Sequence, residues 1–386
     1  MFDLCATNGP WYSGLAPRAK PANRSPGIRG SFGVRRLHLV PVRPRSQRMK
    51  QKIRLVILLG ACALGVSAAM GAAEAWPVGS FAERLRPAPV GSGFRMEGYF
   101  VWCGSAIKVD GEYHLFAARW PKEKDAKFPE GYRNHSEIVR ATARQPLGPY
   151  TFQEVVVGKR ADGSWDSHMA HNPTIHRIGD TFALFYIGSD GRTTQTNSKL
   201  LRRMIGYATA KSVRGPWQRV DRPIVEGDSN NPAVFVEPDG TVKLMFRDAA
   251  LRVSVATADA FNGTYKVANG NVWPTSRLED FYLFFQRGRY HLICEDNTAG
   301  VTGHERWGAH LVSANGIDGW TPFTPAIAYT HDIPFEDGSV LKCTRRERPQ
   351  LLIENGKITH LFTAVYDGEG SWSQPVALSP PVPLSE

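Results

Sequence analysis

The sequence predicts an all-β chain folded as a five-bladed β-propeller of four-stranded antiparallel blades. Three observations carry this. A hairpin pattern, two runs of β-branched and aromatic residues joined at a Gly-containing turn, occurs five times. Each of the first four hairpins is followed by a third apolar run and then by a turn in which Gly precedes an aromatic residue. A repeat of ~50–70 residues with four strands per unit is the signature of a propeller blade.

The hairpins lie at 105–117, turning at Asp110-Gly111; at 174–186, turning at Gly179-Asp180; and at 233–246, turning at Asp239-Gly240. The last two lie at 281–294, turning at Arg287-Gly288-Arg289, and at 350–362, turning at Asn355-Gly356. The third runs are 138–142, 205–209, 253–257 and 309–313. The turn signature reads Leu147-Gly148-Pro149-Tyr150, Arg214-Gly215-Pro216-Trp217, Asn262-Gly263-Thr264-Tyr265 and Asp318-Gly319-Trp320. An outer strand such as 151–157 completes a unit. The fifth unit lacks a clear outer strand after 374–378, so the segment 81–94 is expected to supply it and tie the chain ends together. Closure of the ring leaves no central edge strand unpaired.

With 42% hydrophobic and 11% aromatic residues the chain can bury a large core, and 37 Gly and 27 Pro favour turns over long helices. The net charge of +11 is misleading. Residues 1–75 hold 12 of the 47 Lys+Arg and 2 of the 36 Asp+Glu, which leaves 35 basic against 34 acidic residues in the remainder. The basic excess therefore belongs to a leader, and nucleic acid is not an expected partner. Within that leader, 49–75 reads as a signal peptide. Met49-Lys50-Gln51-Lys52-Ile53-Arg54 is its charged start, 55–70 its apolar run and Ala73-Glu74-Ala75 its cleavage site, making Trp76 the mature N-terminus. Residues 1–48, rich in Arg, Pro and Gly, read as a non-native or disordered upstream segment, and 76–386 as the propeller. The expected location is periplasmic or extracellular. No stable membrane insertion is expected after cleavage, because the apolar run falls short of the ~20 residues a spanning helix needs. Leu59-Gly60-Ala61-Cys62 also fits a lipoprotein anchored through Cys62. The three remaining cysteines, Cys103, Cys294 and Cys343, are too few and too widely spaced for a disulfide framework or a metal cluster.

In a propeller the innermost strands start at one face of the central channel, and the loops between second and third strands open on that face. Residues flanking each hairpin therefore converge. Before the hairpins stand Trp102-Cys103-Gly104, His171-Asn172-Pro173, Asn230-Asn231-Pro232, Glu279-Asp280 and Glu347-Arg348-Pro349. After them stand Arg119-Trp120, Ser189-Asp190, Arg247-Asp248, Glu295-Asp296 and Tyr366-Asp367. Carboxylates, Arg, His and Trp together suit a sugar, whose C–H face packs on an aromatic ring while its hydroxyls take charged partners. Trp102, Arg119, Trp120, Asn172, Asp280, Glu347 and Arg348 are candidate substrate contacts.

Five hairpins, x-N-P or E-x-P strand starts and G-P-[WY] turns resemble the five-bladed propeller glycoside hydrolases. These are the group around family 43, with the fructan-cleaving family 32 and the neoagarobiose-cleaving family 117 as relatives. The resemblance spans 95–378 and implies an exported enzyme that cleaves glycosidic bonds of a plant or algal poly- or oligosaccharide. It implies a blade-start Glu as general acid, and Glu279 stands at that position, with Phe281 where Pro is usual. Glu347-Arg348-Pro349 keeps the Pro and is the rival. The Asp expected in blade one as base or nucleophile is replaced by Cys103-Gly104, so Asp166, Asp190 or Glu97 must serve, with His171 sharing the proton work. Glu279 has Asp280 beside it to raise its pKa by like-charge repulsion. No cofactor is implied and no ligand spacing demands a metal, although the resemblance admits a structural Ca²⁺ in the channel. Two alternatives stay open: a propeller that only binds glycans, and a phosphorylase with Arg119, Arg345 and Arg348 as its phosphate subsite.

Overall fold

The computed structural model describes residues 80–123, 127–194, 201–225 and 227–384. The expectations for 1–48, for the leader at 49–75 and for Cys62 fall outside them. Among the described residues no helix is long and apolar enough to cross a membrane.

Five sheets follow one another along the chain. Their inner strands are Tyr99–Val109, Met169–Ile178, Ser229–Val236, Leu278–Gln286 and Arg345–Glu354. Each pairs antiparallel with the next strand in sequence: Glu112–Pro121, Thr181–Ser189, Val242–Asp248, Arg289–Asp296 and Lys357–Tyr366. Third strands (Glu137–Ala143, Met204–Ala210, Val253–Ala258, Trp307–Ser313 and Ser371–Pro383) continue the order outward. The first four blades end in Thr151–Val157, Gln218–Arg219, Lys266–Asn269 and Thr321–Tyr329.

The fifth blade has three strands, and the N-terminal segment completes it, as the sequence led us to expect. Arg86 N donates to Ala377 O (3.0 Å), and Phe94 and Ser373 exchange backbone hydrogen bonds of 2.9 and 3.2 Å. A small hairpin, Asp332–Pro334 with Val340–Lys342, intervenes between blades four and five.

Strand alternation explains why the hairpins read as near-continuous apolar runs. Successive side chains point to opposite faces, and both faces of a blade are covered by neighbouring blades. Phe116 packs towards blade two, with Ile175 and Leu184, while the adjacent Leu115 packs towards blade five, with Leu352 and Phe362. Leu292 and Ile293 divide in the same way between blades three and five. The Gly–aromatic turn also has a cause. Gly148 holds φ 84°, and the chain folds back so that Tyr150 Oη donates to Pro146 O (2.9 Å); Tyr265 Oη reaches Phe261 O (2.8 Å) in blade three. The three cysteines are free and buried.

Candidate active site

The five inner strands share one irregularity, and it builds the site. Each is bulged against its partner strand at the same place. The first bulge residue has positive φ every time: Cys103 62°, Asn172 51°, Asn231 55°, Asp280 56° and Arg348 54°. Asn and Asp enter this region at modest cost, whereas Cys and Arg are held there by their surroundings. Pro follows in three blades, at Pro173, Pro232 and Pro349, where a missing N–H is harmless because the ladder is already broken. The x-N-P and E-x-P starts are therefore the imprint of a bulge.

Bulging turns these residues onto the propeller axis, where they close the channel. Asn172 Nδ2 donates to Asn231 Oδ1 (3.0 Å), and Asn231 Nδ2 to Glu279 Oε1 (3.1 Å). Cys103 Sγ donates to Pro173 O (3.3 Å). Arg348 is wholly buried. Its backbone N–H donates to Asp280 Oδ2 (3.2 Å), and its guanidinium donates to Asn172 O (3.4 Å) and lies 3.7 Å from Asp280 Oδ1. Gly104 is required beside this hub, since a Cβ there would sit 1.8 Å from Ser373 Oγ of blade five.

One residue earlier in each strand, Trp102, His171, Asn230, Glu279 and Glu347 all line a pocket of about 380 Å³ above the hub. Trp120 and Arg247 from second strands, and Phe128, Tyr132, Arg203 and Arg306 from the intervening loops, complete its walls together with Arg345. Glu279 receives donors only: Arg247, Asn231, and Asn297 Nδ2 at 3.2 Å. Arg306 bridges Glu347 (2.8 Å) and Glu295 (3.0 Å), and Arg345 stands 3.4 Å from the same Glu347 oxygen.

Below them lies a tight acidic group, in which oxygens of Asp280, Glu295 and Glu347 come within 4.8 Å of one another. Burial pushes all three carboxyls up. Asp280 reaches about 8, where burial outweighs the Arg348 guanidinium. Glu295 lies well above the usual carboxylate range, by burial and then by its anionic neighbours, chiefly Glu347. Glu347 is also raised by burial, against the opposing pull of Arg345 and Arg306. Glu347 is thus ion-paired to Arg306 and Arg345 and yet, through burial, holds its proton more tightly than an exposed carboxyl does.

These residues do not fit a calcium ion. Ca²⁺ takes six to eight oxygens, and the carboxylates that could supply some of them are already bridged by Arg306 and faced by Arg348. The Arg348 guanidinium places a fixed positive charge at the hub.

Several sequence-predicted residues lie elsewhere. Asp166 is wholly buried inside blade two, ion-paired to Arg160 (2.5 Å) and Arg219 (3.5 Å) and accepting from Tyr186 Oη (2.6 Å); it does not line the pocket. Asp190 is tied to Arg202 and to the backbone N–H of Arg192, so it organises its own loop. Arg119 points to the other face of its strand from Trp120, onto Glu137, Met96 and the rings of Tyr99 and Phe152. Glu97 is exposed on a turn outside the lining. Of the three arginines suggested for a phosphate subsite, only Arg345 lines the pocket.

His171 does line it. Its ring is stacked under Tyr132 (4.3 Å) with Nδ1 2.8 Å from Ser136 Oγ, and burial followed by Arg348 and Arg203 holds it well below the usual imidazole range. It is a neutral wall at pH 7. Asp296 accepts from the N–H groups of Gly300, Val301 and Thr302 and shapes the following loop. Arg203, Arg306 and Tyr132 were not picked out from the sequence. The signal available for the first two was their place immediately ahead of a third strand, the pocket end of the loop that precedes it.

A propeller hub closed by its own side chains, with aromatic residues from blade one and paired Glu and Arg from blades three to five above it, defines a polar small-ligand site. No family model and no curated protein matches the chain. Among solved structures it is similar to a glycoside hydrolase at 13% identity and TM-score 0.58, covering 78% of this chain and 94% of that one. It is also similar to a family 43 β-xylosidase/α-arabinofuranosidase from a compost microbial metagenome, in complex with xylotriose (15% identity, TM-score 0.52, 80% and 98% covered). A family 117 glycoside hydrolase from the marine bacterium Zobellia galactanivorans matches at 13% identity and TM-score 0.52, over 76% and 88% of the two chains. The chain has the five-bladed propeller fold of these proteins, and at such identities the likeness speaks for the fold.

Proposed function

We propose that this protein hydrolyses glycosidic bonds of a plant or algal poly- or oligosaccharide bound in the hub pocket. The observation that supports this most is the meeting of two blade-start carboxyls, Glu279 and Glu347, in one pocket with Trp102, Trp120, Phe128 and Tyr132. Hydrolysis needs one carboxyl that keeps its proton for the leaving oxygen and one that is an anion towards water or the sugar carbon. Glu347, buried and raised, takes the first role; Glu279, surrounded by donors, takes the second. This inverts the roles that the family resemblance suggests, in which Glu279 is the acid.

The test is release of reducing ends from a panel of arabinan, xylan, agar and pectin oligosaccharides. Cleavage of at least one is expected, and a panel that is bound but never cut would instead favour a propeller that only binds glycans. That second reading draws on Cys103, a thiol at the hub where the family places a carboxylate. We also take the leader at 49–75 to export the protein. N-terminal sequencing of secreted material is expected to begin at Trp76, and a start at a lipid-modified Cys62 would replace that with an anchored form.

A further inference from the structure

Among the described residues five arginines line the pocket, and they are not equally matched. Arg247 is held by Glu279, and Arg306 by Glu295 and Glu347. Arg203 instead faces the Asn230 amide, whose oxygen, in the orientation that satisfies both groups, accepts from both terminal nitrogens (3.0 Å each); it also bonds Tyr132, and its ion-pair partner, Asp228, is 3.8 Å away. Arg345 reaches only a Glu347 oxygen that Arg306 already occupies, at 3.4 Å, and otherwise lies over the Phe128 ring at 5.8 Å. Arg133 lies over the Tyr132 ring. The side chains of Arg203 and Arg345 are 20% and 30% exposed, so each guanidinium has lost most of its water, and among the described residues the anion each meets is either at the limit of contact or shared with another arginine.

A partly desolvated guanidinium is best satisfied by an oxyanion that accepts two parallel hydrogen bonds. Sugar hydroxyls return only neutral bonds. The floor does little to offset this charge, because burial holds Asp280 and Glu295 towards their protonated forms.

We infer that the pocket takes an acidic saccharide, a sugar carrying a carboxylate or a sulfate ester, with Arg203 and Arg345 holding the anion. The inference rests on the carbohydrate reading above and narrows it to a charged substrate class. Carboxylate and sulfate present the same oxygen-rich anion to a guanidinium, so the experiment must separate them.

Calorimetric titration is run on the full wild-type chain and on Glu279→Gln, which reads affinity apart from turnover; an acid preference present only in the variant, where Arg247 has lost its anion, would overturn the inference. The probes are digalacturonate and its methyl ester, galactose 6-sulfate and galactose, and inorganic phosphate. One acid probe is expected to bind about tenfold or more tighter than its neutral counterpart, with the margin shrinking in added salt. Arg203→Gln and Arg345→Gln are each expected to reduce that margin. A digalacturonate preference identifies a uronate and a sulfate preference identifies an ester. Equal affinity for charged and neutral partners, no binding of either acid sugar, a margin untouched by both arginine variants, or binding of phosphate alone would overturn the inference. Cleavage of neutral glycans without acid preference would sink this inference and leave the hydrolytic reading standing. Acid-sugar binding by the wild-type chain without cleavage would do the reverse.

Discussion

Glu279→Gln is expected to lower turnover by about 10²–10⁴-fold while saccharide binding persists, the scale of a lost acid–base group. Gln keeps the shape and can still accept from Asn231 and Asn297, but it cannot act as an anion. Glu347→Gln should lose a comparable factor on natural glycosides, whose leaving alcohols need a proton. The two variants part company on aryl glycosides with acidic phenols, which leave without help. Glu347→Gln is expected to recover most of its rate there, and Glu279→Gln is not. The opposite pattern would hand the acid role to Glu279, as the family resemblance has it. Equal wild-type rates for both variants would remove the pair from the chemistry.

The second large effect concerns the hub. Arg348→Ala removes a wholly buried side chain that bonds Asn172 O and faces Asp280, and it empties the centre of the channel, leaving those buried polar groups without that partner. A loss of roughly 2–5 kcal/mol in unfolding free energy is expected from the cavity and the unpaired polar groups, read from the urea midpoint. An unchanged midpoint would show that Arg348 does not hold the five blades together.

Asp280 adds a pH signature. Its ordinary pKa is near 3.8 and burial pushes it up to about 8, so between those values the folded protein keeps a proton that the unfolded chain has released. Stability from this group is therefore complete below about pH 4 and drains away as pH rises to about 8, by ~6 kcal/mol at the very most. Asp280→Asn should flatten that part of the profile. If the wild-type midpoint instead climbed over this window relative to the Asn variant, Asp280 would be an ordinary salt-bridged anion.

The hairpins, the Gly–aromatic turns and the use of 81–94 to close the ring were all legible, because each depends on residues close in sequence or on a fivefold repeat. Apolar alternation writes itself into the chain wherever both faces of a strand are buried. The pocket was legible at the level of position: Trp102, Trp120, His171, Asn172, Glu279, Asp280 and Glu347 all lie at it. Arg119 failed because it precedes Trp120 by one residue, and in a strand one residue is a change of face. Asp166 failed for a different reason. A carboxylate near a strand start looks alike in sequence whether it meets a substrate or Arg160, Arg219 and Tyr186 inside a blade.

By itself the sequence determined the blades, their order and the five places where the chain turns onto the axis, since strand period and turn chemistry are local. Only the tertiary structure decided which charge answers which. Arg203, Arg247, Arg306, Arg345 and Arg348 come from blades two to five and meet carboxylates up to 68 positions away. Burial and close approach, which no spacing records, then settle whether each group at the hub is a buried acid, an anion held by donors or a cation in search of a partner.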